Sequence, residues 1–83
     1  MNKKILITGG AGYIGSVLVP MLLDEDYEVV LVDKLIFGQK IFSHKKNFKF
    51  IKADVRDYVL MKKILDDHNF DVVIPLAALV GAP

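Results

Sequence analysis

Eight consecutive residues, Thr8-Gly9-Gly10-Ala11-Gly12-Tyr13-Ile14-Gly15, carry the clearest chemistry in this chain. They satisfy two glycine spacings at once: Gly10-x-Gly12-x-x-Gly15, and Thr8-Gly9-x-x-Gly12-x-x-Gly15. Glycines let a backbone turn sharply and approach a bound group closely. A helix starting just behind them would present unpaired N–H groups and the positive end of its dipole. That is chemistry for a pyrophosphate. Eighteen residues after Gly15, Asp33 closes a second apolar run, Val29-Val30-Leu31-Val32. A carboxylate at the end of such a strand can accept hydrogen bonds from a ribose diol. A lone G-x-G-x-x-G is a weak signal. Here a strand, a helix and an acid stand where the mechanism needs them.

No other residues form such a set. His44 and His68 are isolated, and a metal would need three or four ligands, so no metal site is assigned. Asp66-Asp67 reads as a solvated helix face rather than an acid/base pair. There is no nucleophile, base and orienting group in a plausible arrangement.

The loop needs a strand to deliver the chain and a helix to receive it. Residues 4–8 are apolar on both faces over Ile5-Leu6-Ile7, as a central parallel strand requires. After a glycine turn over 9–12, Ile14, Val17, Leu18, Met21 and Leu22 recur at helical spacing. They predict a helix from about Tyr13 to Asp24 with one apolar stripe. Pro20 lies inside it, removes one backbone hydrogen bond and is expected to kink it. Asp24-Glu25-Asp26 predicts a polar turn and residues 28–33 a second strand. Residues 34–47 show no clear period, and Gly38 suggests a loop. Phe48 to Ala53 reads as a third strand. Asp57 is placed to cap a helix over about 58–68, where Leu60, Met61, Ile64 and Leu65 repeat at helical spacing. Phe70-Asp71 lead into a fourth strand, Val72-Val73-Ile74. With right-handed crossovers this order predicts an α/β fold, a parallel sheet of about four strands in spatial order 3-2-1-4 with helices on its faces.

Strand four is strongly apolar, so a neighbour beyond it is expected. An exposed edge there would invite pairing with another chain. The closing run from Leu76 to Val80 is apolar too. Both features lead to the expectation that residues 1–83 are an incomplete domain, a fragment of a longer fold, or that something else covers that edge.

Composition bounds the function classes. At 83 residues the chain makes at most one small domain. Its 53% hydrophobic and 25% charged content excludes a disordered tail. Without cysteine it has no disulfide or thiolate metal site, which fits a reducing cytoplasm. The net charge of +1 gives no argument for nucleic acid or for an anionic membrane. The densest basic stretch, Lys45-Lys46-Asn47-Phe48-Lys49-Phe50-Ile51-Lys52, reads as a loop entering a strand whose lysines face water. No segment reaches the roughly 20 apolar residues of a membrane span. Met1-Asn2-Lys3-Lys4 and the short run behind it do not make a signal peptide. A cytoplasmic location is expected.

Four stretches together resemble one family: Thr8 to Gly15, then Asp33, then Asp54-Val55-Arg56-Asp57, then Val73-Ile74-x-Leu76-Ala77-Ala78. They look like the N-terminal part of the extended short-chain dehydrogenase/reductases, and within them the NAD-dependent epimerase/dehydratase family. The resemblance spans nearly all 83 residues but only the first part of a much longer protein. It implies the N-terminal part of a Rossmann fold with NAD as cofactor. It implies that Gly9, Gly12, Tyr13, Ile14 and Gly15 hold the pyrophosphate and Asp33 the adenosine ribose. It further implies that Asp54 and Val55 lie against adenine and that Leu76, Ala77 and Ala78 line the cofactor.

Two positions depart from the pattern. The family usually has His before Leu-Ala-Ala, where this chain has Pro75, which carries no imidazole and donates no ladder hydrogen bond. It often has Asn after the ribose acid, where this chain has Lys34. Lys34 could meet a 2′-phosphate, but Asp33 would repel it, so NAD is favoured over NADP. The family's chemistry also implies a Tyr and a Lys four residues apart on a helix after strand four. Tyr58-x-x-x-Lys62 has the spacing but lies before strand four, and no catalytic residue is assigned. The complete relative would transfer a hydride between NAD and a nucleotide-linked sugar, and this chain alone is not expected to catalyse. Two other readings stay open: a short nucleotide-binding or interaction module that self-associates through the strand-four edge, and an NAD(P)-sensing regulator without chemistry. The sequence does not choose between epimerase, dehydratase and reductase, nor name the sugar.

Overall fold

The computed structural model describes residues 3–9, 13–34 and 45–76, with backbone only at Tyr13 and Ile14. Six elements follow in order: β1 (Lys4–Thr8), α1 (Tyr13–Asp24), β2 (Glu28–Asp33), β3 (Phe48–Lys52), α2 (Tyr58–Asp67) and β4 (Val72–Pro75). The strands form one sheet in the order β3-β2-β1-β4, with every pairing parallel. This is the expected 3-2-1-4 order. β3 is one residue shorter than expected, and α2 ends one residue early, with His68 extended at its C-cap (φ −126°, ψ 146°). The glycine turn beyond Gly9, the loop residues 35–44 and the segment from Ala77 onward lie outside the described residues.

Strand alternation sorts the core into two layers. Ile5 and Ile7 of β1 and Val29 and Leu31 of β2 point to one face, where Val19 and Leu23 of α1 and Leu76 cover them. Leu6, Val30 and Val32 point to the other, against Ile64 of α2 and Ala53. Each such buried aliphatic side chain contributes about 1.5–3 kcal/mol. Runs apolar at every position are therefore required in β1 and β2, since both of their faces are covered. The lysines of the basic stretch, Lys45, Lys46, Lys49 and Lys52, are exposed as expected. Among the described residues β4 pairs only with β1, and Val72 and Val73 are 41% and 50% exposed.

The face that α1 turns to the sheet corrects the sequence expectation. Val17 and Met21, assigned to the apolar stripe, are 48% and 60% exposed. Gly15, Val19 and Leu23 are buried instead, flanked by the partly buried Leu18 and Leu22. The two sets are about one residue out of phase on the helix. The segment is apolar on nearly every side, so periodicity alone could not fix its rotation. The sheet decides it, because glycine at position 15 lets the helix approach the strands closely. The helix continues through Pro20.

α1 ends in a Schellman arrangement. The Tyr27 N–H donates to the Leu22 carbonyl at 3.1 Å and the Asp26 N–H to the Leu23 carbonyl at 3.1 Å, with Asp26 left-handed at φ 63°. The start of α2 matches expectation: the Asp57 carboxylate accepts from the Leu60 N–H at 3.2 Å.

Candidate functional site

In a parallel sheet every strand releases its chain at the same edge, so residues far apart in sequence meet there. Gly9 follows β1, Asp33 and Lys34 end β2, and Ala53 to Arg56 follow β3. These seven residues, Gly9, Asp33, Lys34, Ala53, Asp54, Val55 and Arg56, line an open cleft of about 330 Å³. That is within the range of small-molecule sites, roughly 300–1,000 Å³.

Backbone hydrogen bonds fix the rim. The Gly9 N–H donates to the Val32 carbonyl at 2.8 Å, and the Ala53 N–H to the Asp33 carbonyl at 3.0 Å. Both extend the parallel ladder one residue past the strands. Gly9 has φ 74°, the left-handed region where a Cβ costs about 1–2 kcal/mol. A glycine is therefore required at the point where the chain leaves β1 for the loop. Asp33 is half-buried and Lys34 exposed.

The loop after β3 is built around one carboxylate. Asp54 Oδ1 accepts from the Arg56 N–H at 2.9 Å, and the Arg56 guanidinium grips both carboxylate oxygens, with Nη2 to Oδ2 at 2.8 Å. The Asp57 N–H closes the turn on the Asp54 carbonyl at 2.9 Å. The Arg56 guanidinium, and then its backbone N–H, hold the Asp54 carboxyl well below the usual carboxylate range, and Lys34 adds a weaker pull. Asp54 in turn raises the Arg56 guanidinium. The wall is thus a fixed anion with its counterion beside it.

Of the sequence-nominated residues, the structure brings Gly9, Asp33, Lys34, Asp54 and Val55 to this cleft. Gly15 is buried in the first turn of α1, and Tyr13 and Ile14 supply the backbone that opens that helix. Leu76 takes a different place. It is 4% exposed and packs in the α1-side core with Ile7 and Leu31 rather than lining the cleft. Gly12, Ala77 and Ala78 lie outside the described residues. Two lining residues were not nominated, Ala53 and Arg56. The signal for Arg56 was its place two residues after Asp54, the spacing at which an Asp side chain closes a turn on backbone N–H.

The rejected candidates are explained by local partners. Tyr58 is 81% exposed, and Lys62 pairs with Asp66 at 2.7 Å. Lys63 pairs with Asp67 at 3.2 Å, so Asp66-Asp67 is the solvated helix face expected. Among the described residues there is no group of three His, Asp or Glu that could hold a metal, and no helix is long and apolar enough to cross a membrane.

Residues 5–83 match the model of the NAD dependent epimerase/dehydratase family. The chain belongs to that family. Among its relatives, UDP-arabinose 4-epimerase 1 of Arabidopsis thaliana is 40% identical over 83 residues, which is 90% of this chain and 20% of that protein. The dTDP-D-glucose 4,6-dehydratase of Mus musculus is 35% identical over 83 residues, 92% of this chain and 23% of that protein. Solved structures of family type share the fold. The Bordetella bronchiseptica enzyme WbmG in complex with NAD superposes with a TM-score of 0.80 at 28% identity, over 90% of this chain and 24% of that one. A UDP-glucose 4-epimerase superposes at 0.75 and 36% identity, over 90% of this chain and 22% of that one. The chain therefore spans about a fifth to a quarter of the length of these epimerase/dehydratase relatives, and its four-stranded parallel sheet is their Rossmann architecture.

Proposed function

We propose that this chain binds NAD through its adenosine diphosphate half, as the N-terminal cofactor-holding part of a nucleotide-sugar epimerase or dehydratase. The observation that carries the reading is the cleft at the carboxyl ends of β1, β2 and β3, where Gly9, Asp33 and the Asp54–Arg56 turn converge. Its parts suit that ligand. The half-buried Asp33 at the end of β2 is placed to accept from a ribose diol. The start of α1 follows the glycine loop and offers N–H groups to a pyrophosphate. The apolar Ala53 and Val55 on its lining suit a purine. Asp33 at the ribose position favours NAD over NADP despite Lys34 beside it.

Family relatives that carry NAD and that act on UDP- or dTDP-linked sugars support the cofactor and the substrate class. When bound, NAD supplies a hydride acceptor for sugar chemistry. The residues of this chain orient and hold its adenine end, and no acid/base pair is assigned to them. Titration calorimetry with ADP-ribose and NAD tests the reading. Dissociation constants below about 1 mM are expected, with binding lost in Asp33→Ala and Gly12→Val. A folded chain that binds neither ligand would remove the proposal.

A further inference from the structure

The basic stretch before and within β3 takes no part in the cleft at the carboxyl edge. Strand alternation puts Lys49 on the α2 side of the sheet, beside Val30, and the β1–β2 register sets Lys4 next to Glu28 on that same side. α2 ends at this edge with His68 at its C-cap. Together they form a second cleft, of about 170 Å³, whose titratable lining is Lys4, Glu28, Lys46, Lys49 and His68. Its charges are not balanced. The ion pairs among the described residues lie elsewhere, at Arg56–Asp54, Lys62–Asp66 and Lys63–Asp67. Lys4 Nζ stands 5.9 Å from the centre of the Phe70 ring, which leaves its charge in place. The Asp71 carboxylate is engaged by the Lys4 N–H. The C-terminus of α2 adds about half a negative charge, confined to its last turn. Three ammonium groups therefore outweigh Glu28 and that helix end. His68 registers the excess: burial lowers its imidazole, Lys4 and Lys49 lower it further, and Asp67 opposes them weakly.

Like charges gathered around a cavity repel each other, and a cleft lined by one sign focuses its field on an ion of the other. Backbone donors at this edge are already engaged, the Glu28 N–H by the Lys3 carbonyl and the Val29 N–H by the Asn47 carbonyl. Recognition therefore falls to the lysines. Ammonium groups act as rotatable point charges, which suit a phosphate better than the planar fork of a carboxylate. The cleft has about half the volume of the one at the carboxyl edge and falls below the roughly 300 Å³ of an organic-ligand pocket. That limits its occupant to a group about the size of one phosphate. We propose that the amino-edge cleft is an anion site for a terminal phosphate dianion, held by Lys4, Lys46 and Lys49 with His68 beside them. The site is independent of the cofactor reading. A pyrophosphate esterified at both ends, as in ADP-ribose, carries one charge on each phosphorus and is too large for it.

The test titrates inorganic phosphate and ribose 5-phosphate into the isotope-labelled chain at about pH 7.5, where phosphate esters are dianions, with chloride holding the ionic strength constant. Saturable amide shifts are expected at Lys4, Val29, Val30, Phe48, Lys49 and His68, with dissociation constants of roughly 1–10 mM. The His68 imidazole should titrate at higher pH once the site is filled, because a bound dianion reverses the sign of the charge beside it. Saturation by inorganic phosphate alone supports the site with the free ion as its occupant, and saturation by both ligands supports it with phosphate esters included. Lys46→Gln combined with Lys49→Gln, both at exposed positions, should weaken binding at least about threefold. Lys62→Gln combined with Lys63→Gln removes the same charge from another face of α2 and should leave binding unchanged. Shifts at the amino edge that do not saturate, no shifts there, or equal weakening by the two double variants would overturn the proposal.

Discussion

The two edges of the sheet use their polar groups in opposite ways. At the amino edge, side chains close on the fold itself. Asn47 Nδ2 donates to the Tyr27 carbonyl at 2.8 Å and the Leu23 carbonyl at 3.3 Å, tying the end of α1 to the entrance of β3. Lys4 and Asp71 exchange two hydrogen bonds, the Lys4 N–H to Asp71 Oδ2 and the Asp71 N–H to the Lys4 carbonyl, both 2.8 Å. His68 stacks on Phe70 with ring centres 5.2 Å apart, and its Nδ1 is buried without a protein partner. At the carboxyl edge, Gly9, Asp33, Lys34 and the Asp54–Arg56 turn stand around an open cleft. The amino edge turns its side chains mostly to the fold and keeps a smaller cleft of about 170 Å³ beside Lys4, Asn47 and His68, while the cleft at the carboxyl edge is about 330 Å³, although both edges are cut from the same four strands. Substitutions should therefore separate stability from binding according to the edge they strike.

The largest effect is expected at the carboxyl edge. Asp33→Ala should weaken ADP-ribose tenfold or more, about 1.5–3 kcal/mol for a hydrogen bond to a charged group, with the unfolding midpoint in urea nearly unchanged. A loss of stability without a loss of affinity would break the contrast. Next comes its mirror at the other edge. Asn47→Ala takes the side-chain donor from the Tyr27 carbonyl and leaves the Leu23 carbonyl with the Asp26 N–H alone, so chemical denaturation should show a loss of about 1–3 kcal/mol, and the folded fraction should bind ADP-ribose as before. Gly9→Ala should do both, destabilising by about 1–2 kcal/mol through the left-handed φ and weakening the ligand. Fold and cleft meet at that residue.

Two smaller effects belong to the amino side alone. Asp26→Gly should raise stability by about 0.5–1 kcal/mol, because glycine occupies the left-handed C′ position of α1 without penalty. The second concerns pH. Burial lowers the His68 imidazole, Lys4 and Lys49 lower it further, and Asp67 opposes them weakly. The folded protein thus takes up this proton at lower pH than the unfolded chain does. Above the ordinary value of about 6.5 both states are neutral and the group is silent. As pH falls below it, the unfolded chain protonates first and stability drops. His68→Phe, which keeps a ring on Phe70, should flatten that acid-side decline between pH 7 and 5 in thermal melts, while leaving ADP-ribose affinity intact.

The elements and their order were legible because each rests on a short-range rule. Ile5-Leu6-Ile7 and Val29-Val30-Leu31-Val32 are apolar at every position, which only a sheet covered on both faces demands, and Asp57 stands where an N-cap must. The rotation of α1 was not legible, since apolar residues at 17 and 21 compete with those at 19 and 23 until the sheet chooses between them. Leu76 continues the parity of Ile74 and so falls on the α1 side of the sheet. At the cleft, Asp33 and Asp54 could be read from their positions at strand ends. Arg56 left a fainter signal, its place two residues after Asp54, because its role comes from the turn the two residues form.

The most direct test that ligand binds at the carboxyl edge and not at the amino edge is amide chemical-shift mapping during titration with ADP-ribose. The account predicts shifts concentrated at Gly9, Asp33, Lys34 and Ala53 to Arg56, with Asn47, His68, Phe70 and Asp71 unmoved. Shifts clustered at the amino edge, or none at all in a folded protein at millimolar ligand, would contradict it.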